Sequence, residues 1–190
     1  MKKTILSLLA LFAITATPAV VMAQTQKTAT SQNADISNRQ AKRAMRQAEN
    51  EAIIARVAKA VNSHQFTYIA TELSSSGFAA ISNIKLNQLW DIRVTPQSLY
   101  VYLPIYGAAN PFSQPSIFNR LDFTTNSYSY DVQPMKNGGS TVTIKATDQT
   151  TNRDYTFVIN VSPMGQNSTL MVNSTFTGPV TFMGNINYTY

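Results

Sequence analysis

KNGGSTVTIKATDQTTNRDYTFVINV, residues Lys136–Val161, carries the fold in its spacing. Asn137-Gly138 is a tight-turn signal, because the turn of a hairpin needs positive φ, which glycine adopts without steric cost. After it, Val142, Ile144 and Ala146 alternate with Thr141, Thr143 and Lys145. Asp148–Asp154 (DQTTNRD) turns the chain, and Tyr155, Phe157, Ile159 and Val161 then alternate with Thr156 and Asn160. Side chains that change character at every step stand on opposite faces of an extended backbone, so both segments read as half-buried β-strands.

The same rhythm extends in both directions. Upstream, Phe66, Tyr68 and Ala70 alternate with polar or outward positions, as do Leu99, Val101 and Leu103 with Tyr100 and Tyr102, and Tyr128, Tyr130 and Val132 with Ser129 and Asp131. Residues 80–94 hold one or two less regular strands, and 104–115 form a loop with three prolines. Downstream, Pro163-Met164-Gly165 is a turn, Leu170 and Val172 alternate with Thr169 and Asn173, and Gly178-Pro179 precedes Val180, Phe182, Ile186 and Tyr188. Eight to ten short strands joined by short turns imply a mainly β, antiparallel meander with one buried face. Closure into an up-and-down barrel removes the exposed edges, which makes it the first expectation and a sandwich the second.

Ahead of the strands the period is different. Lys2 and Lys3, the apolar run Ile5–Ile14, Pro18 and Val21-Met22-Ala23 have the order of a secretory signal peptide, with cleavage expected after Ala23. The run is too short to span a bilayer, which needs about 20 apolar residues. The expected organisation is a signal peptide over 1–23, a disordered polar linker over 24–38, an amphipathic helix over 39–61 and a β-barrel over 62–190. The helix rests on a Pro- and Gly-free stretch rich in Ala, Arg, Gln and Glu, with Ile53, Ile54, Val57 and Val61 weighting its apolar side to the C-terminal end.

The formal charge of +6 is unevenly placed. Residues 62–190 carry six basic and six acidic side chains, so the excess lies in the leader and the helix, where Arg39, Lys42, Arg43 and Arg46 cluster. A nucleic-acid partner is therefore not expected, because the fold itself offers no basic face. The helix is expected to dock on the barrel, with a membrane surface or a partner met by its Arg/Lys-rich start as the alternative. The chain has no Cys, which excludes thiol catalysis, thiolate metal sites and a lipid anchor on cysteine.

Leu103-Pro104-Ile105-Tyr106-Gly107 after a Tyr-Val-Tyr strand, the strand–Asn-Gly–strand–turn–strand centre, Pro163-Met164-Gly165, and the closing Gly178-Pro179-Val180 with Gly184-Asn185-Ile186 form a recognisable series. With the Ala/Arg/Lys-rich helix leading into Phe66-Thr67-Tyr68-Ile69-Ala70, residues 40–188 resemble the domain-of-unknown-function family 4251. Those are exported proteins of Bacteroides-type bacteria. The resemblance implies a lipocalin-like barrel behind a helix and a cell-envelope address, and it brings no functional residues. The Ser-rich stretch near residue 75 is shorter than that pattern has.

No catalytic pattern emerges. The only His, His64, sits at the helix–strand junction, and Asp91, Asp122, Asp131, Asp148 and Asp154 read as turn and surface groups. No nucleotide-binding or zinc motif is present. The protein is expected to be no enzyme and to use neither a cofactor nor a metal. Trp90, Tyr100, Tyr102, Tyr106 and Phe112 flank the Pro-rich loop, and aromatics at a barrel mouth can stack on a ligand. Trp90, Tyr102 and Tyr106 are thus the candidate pocket wall, with Arg93 as its polar anchor. The expectation is a soluble periplasmic or secreted module that binds a small apolar ligand. The first alternative is a structural or interaction protein with a filled barrel and an envelope protein as partner, and the second an outer-membrane barrel.

Overall fold

The computed structural model describes residues 19–76, 83–104, 120–175 and 179–188. The chain divides into two units, Met1–Gln47 and Ala48–Tyr190. Within the second, nine strands follow the end of helix α1 (Ala19–Asn62): β1 Phe66–Ser76, β2 Ile84–Val94, β3 Leu99–Pro104, β4 Arg120–Thr125, β5 Tyr128–Pro134, β6 Ser140–Asp148, β7 Arg153–Val161, β8 Ser168–Ser174 and β9 Val180–Asn187. All pairs are antiparallel, in the order β4-β3-β2-β1-β9-β8-β7-β6-β5. The first strand pairs with the last, Tyr68 opposite Ile186. The result is a nearly closed up-and-down barrel whose one unpaired seam lies between the sequence neighbours β4 and β5.

Alternation sets what fills it. Inward positions of β7 (Tyr155, Phe157, Ile159, Val161) and β6 (Val142, Ile144, Ala146) are buried, and so are Leu99, Val101 and Leu103 of β3. Tyr68, Phe157, Phe182, Leu73, Ile92, Leu99, Leu103, Ile144, Ile159 and Leu170 are all fully buried, and one continuous apolar core results. Tyr68 crosses this core to donate from its hydroxyl to the carbonyls of Phe182 (3.1 Å) and Ser168 (3.3 Å). Burial pushes its phenol well above the usual range, so it remains a donor. Outward positions carry Thr141, Thr143, Lys145, Thr156 and Asn160. This polarity is the reverse of an outer-membrane barrel, which is apolar outside and polar within. The membrane-barrel alternative is corrected on that ground. Among the described residues no helix is long and apolar enough to cross a membrane.

One end of the barrel is stopped by the C-terminal part of α1, where Val57, Ala60 and Val61 join the core. The helix ends in a Schellman motif: Gln65 N–H donates to Ala60 O (2.9 Å) and His64 N–H to Val61 O (3.2 Å), with His64 left-handed at φ 55°. Tyr130 of β5 ties this end down, donating to Val61 O (2.8 Å) and packing against the His64 ring at 3.8 Å with the planes tilted by 37°. Tyr128 donates likewise to Thr95 O in the β2–β3 turn.

The start of α1 is a correction. It begins at Ala19, so residues 24–38, read as a disordered linker, are helical. Polarity suggested a linker, but no Pro or Gly interrupts 19–62, and a helix once nucleated propagates through such residues. The leader residues 1–18 lie outside the described residues. The Asn-Gly turn is also wider than a two-residue hairpin loop. Gly138 N–H donates to Met135 O (3.1 Å), Gly138 alone of the pair takes positive φ (83°), and Asn137 Oδ1 accepts from Gly139 N–H (3.1 Å).

Asp148 closes the β6–β7 turn. Its burial pushes the carboxyl upward, but donation from the Thr151 hydroxyl (2.6 Å) and the Thr150 N–H (2.9 Å) outweighs this and holds it below the usual carboxylate range. A depressed folded-state pKa stabilises above the unfolded value of about 3.9, and that stabilisation is lost as pH falls through the folded value. Urea midpoints of the native protein are therefore expected to fall below about pH 4 more steeply than those of Asp148→Asn. Parallel midpoint curves for the two proteins would refute the assignment.

Candidate functional site

Arg93 and Tyr102 come together on the outside of the barrel, and Trp90, itself buried with the core residues, stacks on Tyr102. The Thr95–Ser98 turn, closed by Thr95 N–H to Ser98 O (2.9 Å), sets the β2–β3 register so that Arg93 faces Tyr100 and Asp91 faces Tyr102. Across β3–β4, Tyr102 faces Asp122 and Tyr100 faces Thr124. Since Ile92, Val94, Leu99, Val101 and Leu103 take the core side, these partners stand on the opposite face.

Arg93 Nε donates to Asp91 Oδ2 at 2.7 Å, from a guanidinium that is half exposed to a carboxylate that is only 4% exposed. The hydrogen bond, and then the charge, of Asp91 hold the Arg93 guanidinium above its ordinary range. Arg93 Cζ lies 5.0 Å from the Tyr100 ring centre, and Arg120 Cζ 5.8 Å from that of Tyr102, both within cation–π reach. Tyr100 and Tyr102 stack at 6.5 Å, Trp90 stacks on Tyr102 at 4.8 Å, and Arg120 Nε sits 3.4 Å from Asp122 Oδ2. Burial first, then the charges of Asp122 and Asp91, raise the Tyr100 phenol.

Trp90 reaches this cluster after a break in register. Ala70 pairs with Trp90, but Glu72 pairs with Lys85, so β2 has surplus residues that bulge out and leave Leu89 58% exposed. A bulge re-aims the side chains beside it.

The expected pocket is thereby corrected for Tyr102 and Arg93. Tyr102 lines the outer face because Leu99, Val101 and Leu103 already occupy the inner one, a parity written in the sequence. Tyr106 and Phe112, with the Pro-rich loop, lie outside the described residues. Arg120 and Asp122 complete the cluster and were not among the candidates; the signal was the Arg-Leu-Asp alternation, legible only once β4 is registered on β3.

The arrangement balances two Arg with two Asp around stacked rings. It offers shape, hydrogen bonds and π-faces, and no acid–base pair. The other aspartates of the strands and their turns are engaged by neighbours: Asp154 by the Thr147 hydroxyl (2.6 Å), Asp131 by Gln133 (3.1 Å) and Asp148 within its turn. Among the described residues no three His, Asp or Glu side chains gather as a metal site would require. At the barrel end away from the helix, Leu103, Pro104, Leu121, Tyr155, Val172, Val180 and Phe182 line an apolar recess of about 10 Å³, the room of about one water molecule.

No curated protein matches the chain. A crystal structure of a DUF4251 family protein from Bacteroides eggerthii DSM 20697, at 1.95 Å resolution, is similar with a TM-score of 0.54 and 14% identity, over 75% of this chain and 91% of that one. The likeness is one of fold. The profile of the family described as "Domain of unknown function (DUF4251)" matches residues 47–186, from the second half of the helix through the last strand, and the chain belongs to that family.

Proposed function

We propose that the protein is an exported cell-envelope interaction module whose barrel is a filled scaffold and whose outer β2–β4 face engages a protein partner. One observation carries this reading: the barrel interior is occupied by its own side chains, with Tyr68, Phe157, Phe182 and Leu73 fully buried at its centre. A ligand pocket runs to roughly 300–1,000 Å³, and the recess at the mouth is far smaller. The half-buried Tyr100 and Tyr102 and the exposed Arg93 support the outer face as the contact surface, since aromatic side chains and Arg are the residues enriched where proteins meet. Export is supported by the Lys2-Lys3, apolar-run and Val21-Met22-Ala23 pattern.

A second reading, a small apolar ligand at the mouth, is supported by the mostly apolar lining of the recess. Native mass spectrometry of the protein taken from its host's envelope separates the two. The expected species begins at Gln24, retains no small molecule, and carries a protein partner that Tyr102→Ala with Arg93→Ala releases. A small apolar molecule retained in equimolar amount would overturn the filled-scaffold reading in favour of the second.

A further inference from the structure

The N-terminal unit has a feature that the barrel reading does not use. Arg39, Lys42, Arg43 and Arg46 stand at i, i+3, i+4 and i+7 of α1, so they project from one face of the helix within about 100° of arc. All four are exposed, and none forms an ion pair with a described side chain. No acidic residue lies between them; Asp35 and Glu49 flank the row. Each cation therefore has a like charge three or four residues away, an arrangement that destabilises a helix where an alternating one would support it. The opposite side of the same turns holds Ala41, Ala44 and the exposed Met45, too little apolar surface for burial among acyl chains.

We infer that this row docks on an anionic phospholipid surface by charge alone, with the helix lying on the headgroups. Charge complementarity selects the occupant. Three of the four cations are Arg, whose planar fork matches phosphate oxygens bidentately, and a row along the helix presents them together to a flat layer of phosphates. The inference is independent of the partner proposed for the barrel and would survive that proposal's failure.

Sedimentation of the full protein with phosphatidylcholine vesicles, with and without phosphatidylglycerol, tests it. Binding is expected only with phosphatidylglycerol and should vanish at about 0.5 M salt, where screening is short-ranged. Each cation replaced by Gln should weaken binding about fivefold, and the variant with all four replaced by roughly several hundredfold. Exchanging Arg39 with Gln40 and Arg46 with Gln47 keeps the charge but turns two cations off the row, and should cost roughly twentyfold. Circular dichroism of each variant, expected unchanged, separates lost docking from lost helix. Equal binding by native and exchanged proteins would overturn the claim. So would binding to neutral vesicles, or binding to a short DNA duplex with the vesicles left bare.

Discussion

Gly184→Ala is expected to remove about 3–4 kcal/mol of stability, a large share of the roughly 5–15 kcal/mol that holds a domain folded. A Cβ at this position of β9 would lie 2.1 Å from the Ile69 carbonyl oxygen and 2.8 Å from the Cζ and hydroxyl oxygen of Tyr68. The first contact is with the backbone of the adjacent strand and cannot be relieved by a side-chain turn. The second would displace the phenol from the carbonyls of Phe182 and Ser168, leaving buried acceptors without their donor. Urea denaturation reads the loss as a lower midpoint at unchanged slope. Combined with Tyr68→Phe, the cost should fall short of the sum of the two, because the pair shares one space. A loss under about 1 kcal/mol would mean that β1 and β9 are not paired in this register.

Phe157→Ala should cost about 3–5 kcal/mol, as deletion of a fully buried ring leaves a cavity that the surrounding strands fill only in part. Phe157 sits mid-strand between Ile144 and Val172 and stacks at 6.1 Å on Tyr155. Its neighbour Thr156 points outward, and Thr156→Ala should change stability by no more than about 0.5 kcal/mol. The contrast is the test, since adjacent residues share every local property except the face they occupy. Similar costs for both, measured by denaturant midpoints, would sink the inward–outward assignment.

Much of this was legible before any coordinates. Val142 to Ala146 alternate without exception and Tyr155 to Val161 with one, Val158, and burial follows the alternation position by position. Closure was foreseen from the cost of bare edges; which strands fail to pair was not, because β4 and β5 are neighbours in sequence and their alternation does not mark the break between them. Residues 84–89 resisted reading because a bulge depends on the register of the neighbouring strand and leaves only blurred alternation. The candidate cluster was half legible. Proximity of Trp90, Arg93 and Tyr102 followed from a short turn between two strands, but they were placed at the mouth when the parity of Leu99, Val101 and Leu103 had already assigned Tyr102 to the exterior. The extent of α1 was missed because polar composition was read as disorder, although nothing between Ala19 and Asn62 breaks a helix.

The pairing of the first strand with the last imposes an order on biosynthesis. As the nascent chain emerges, β2 to β4 and β6 to β8 can each zip onto the strand just before them, but one edge of β1 must wait for β9, the last strand of the barrel. Any product truncated before Val180 keeps that edge bare and an apolar interior open, a signature that proteases and chaperones recognise. Strand β9 thus acts as a completion check on the barrel.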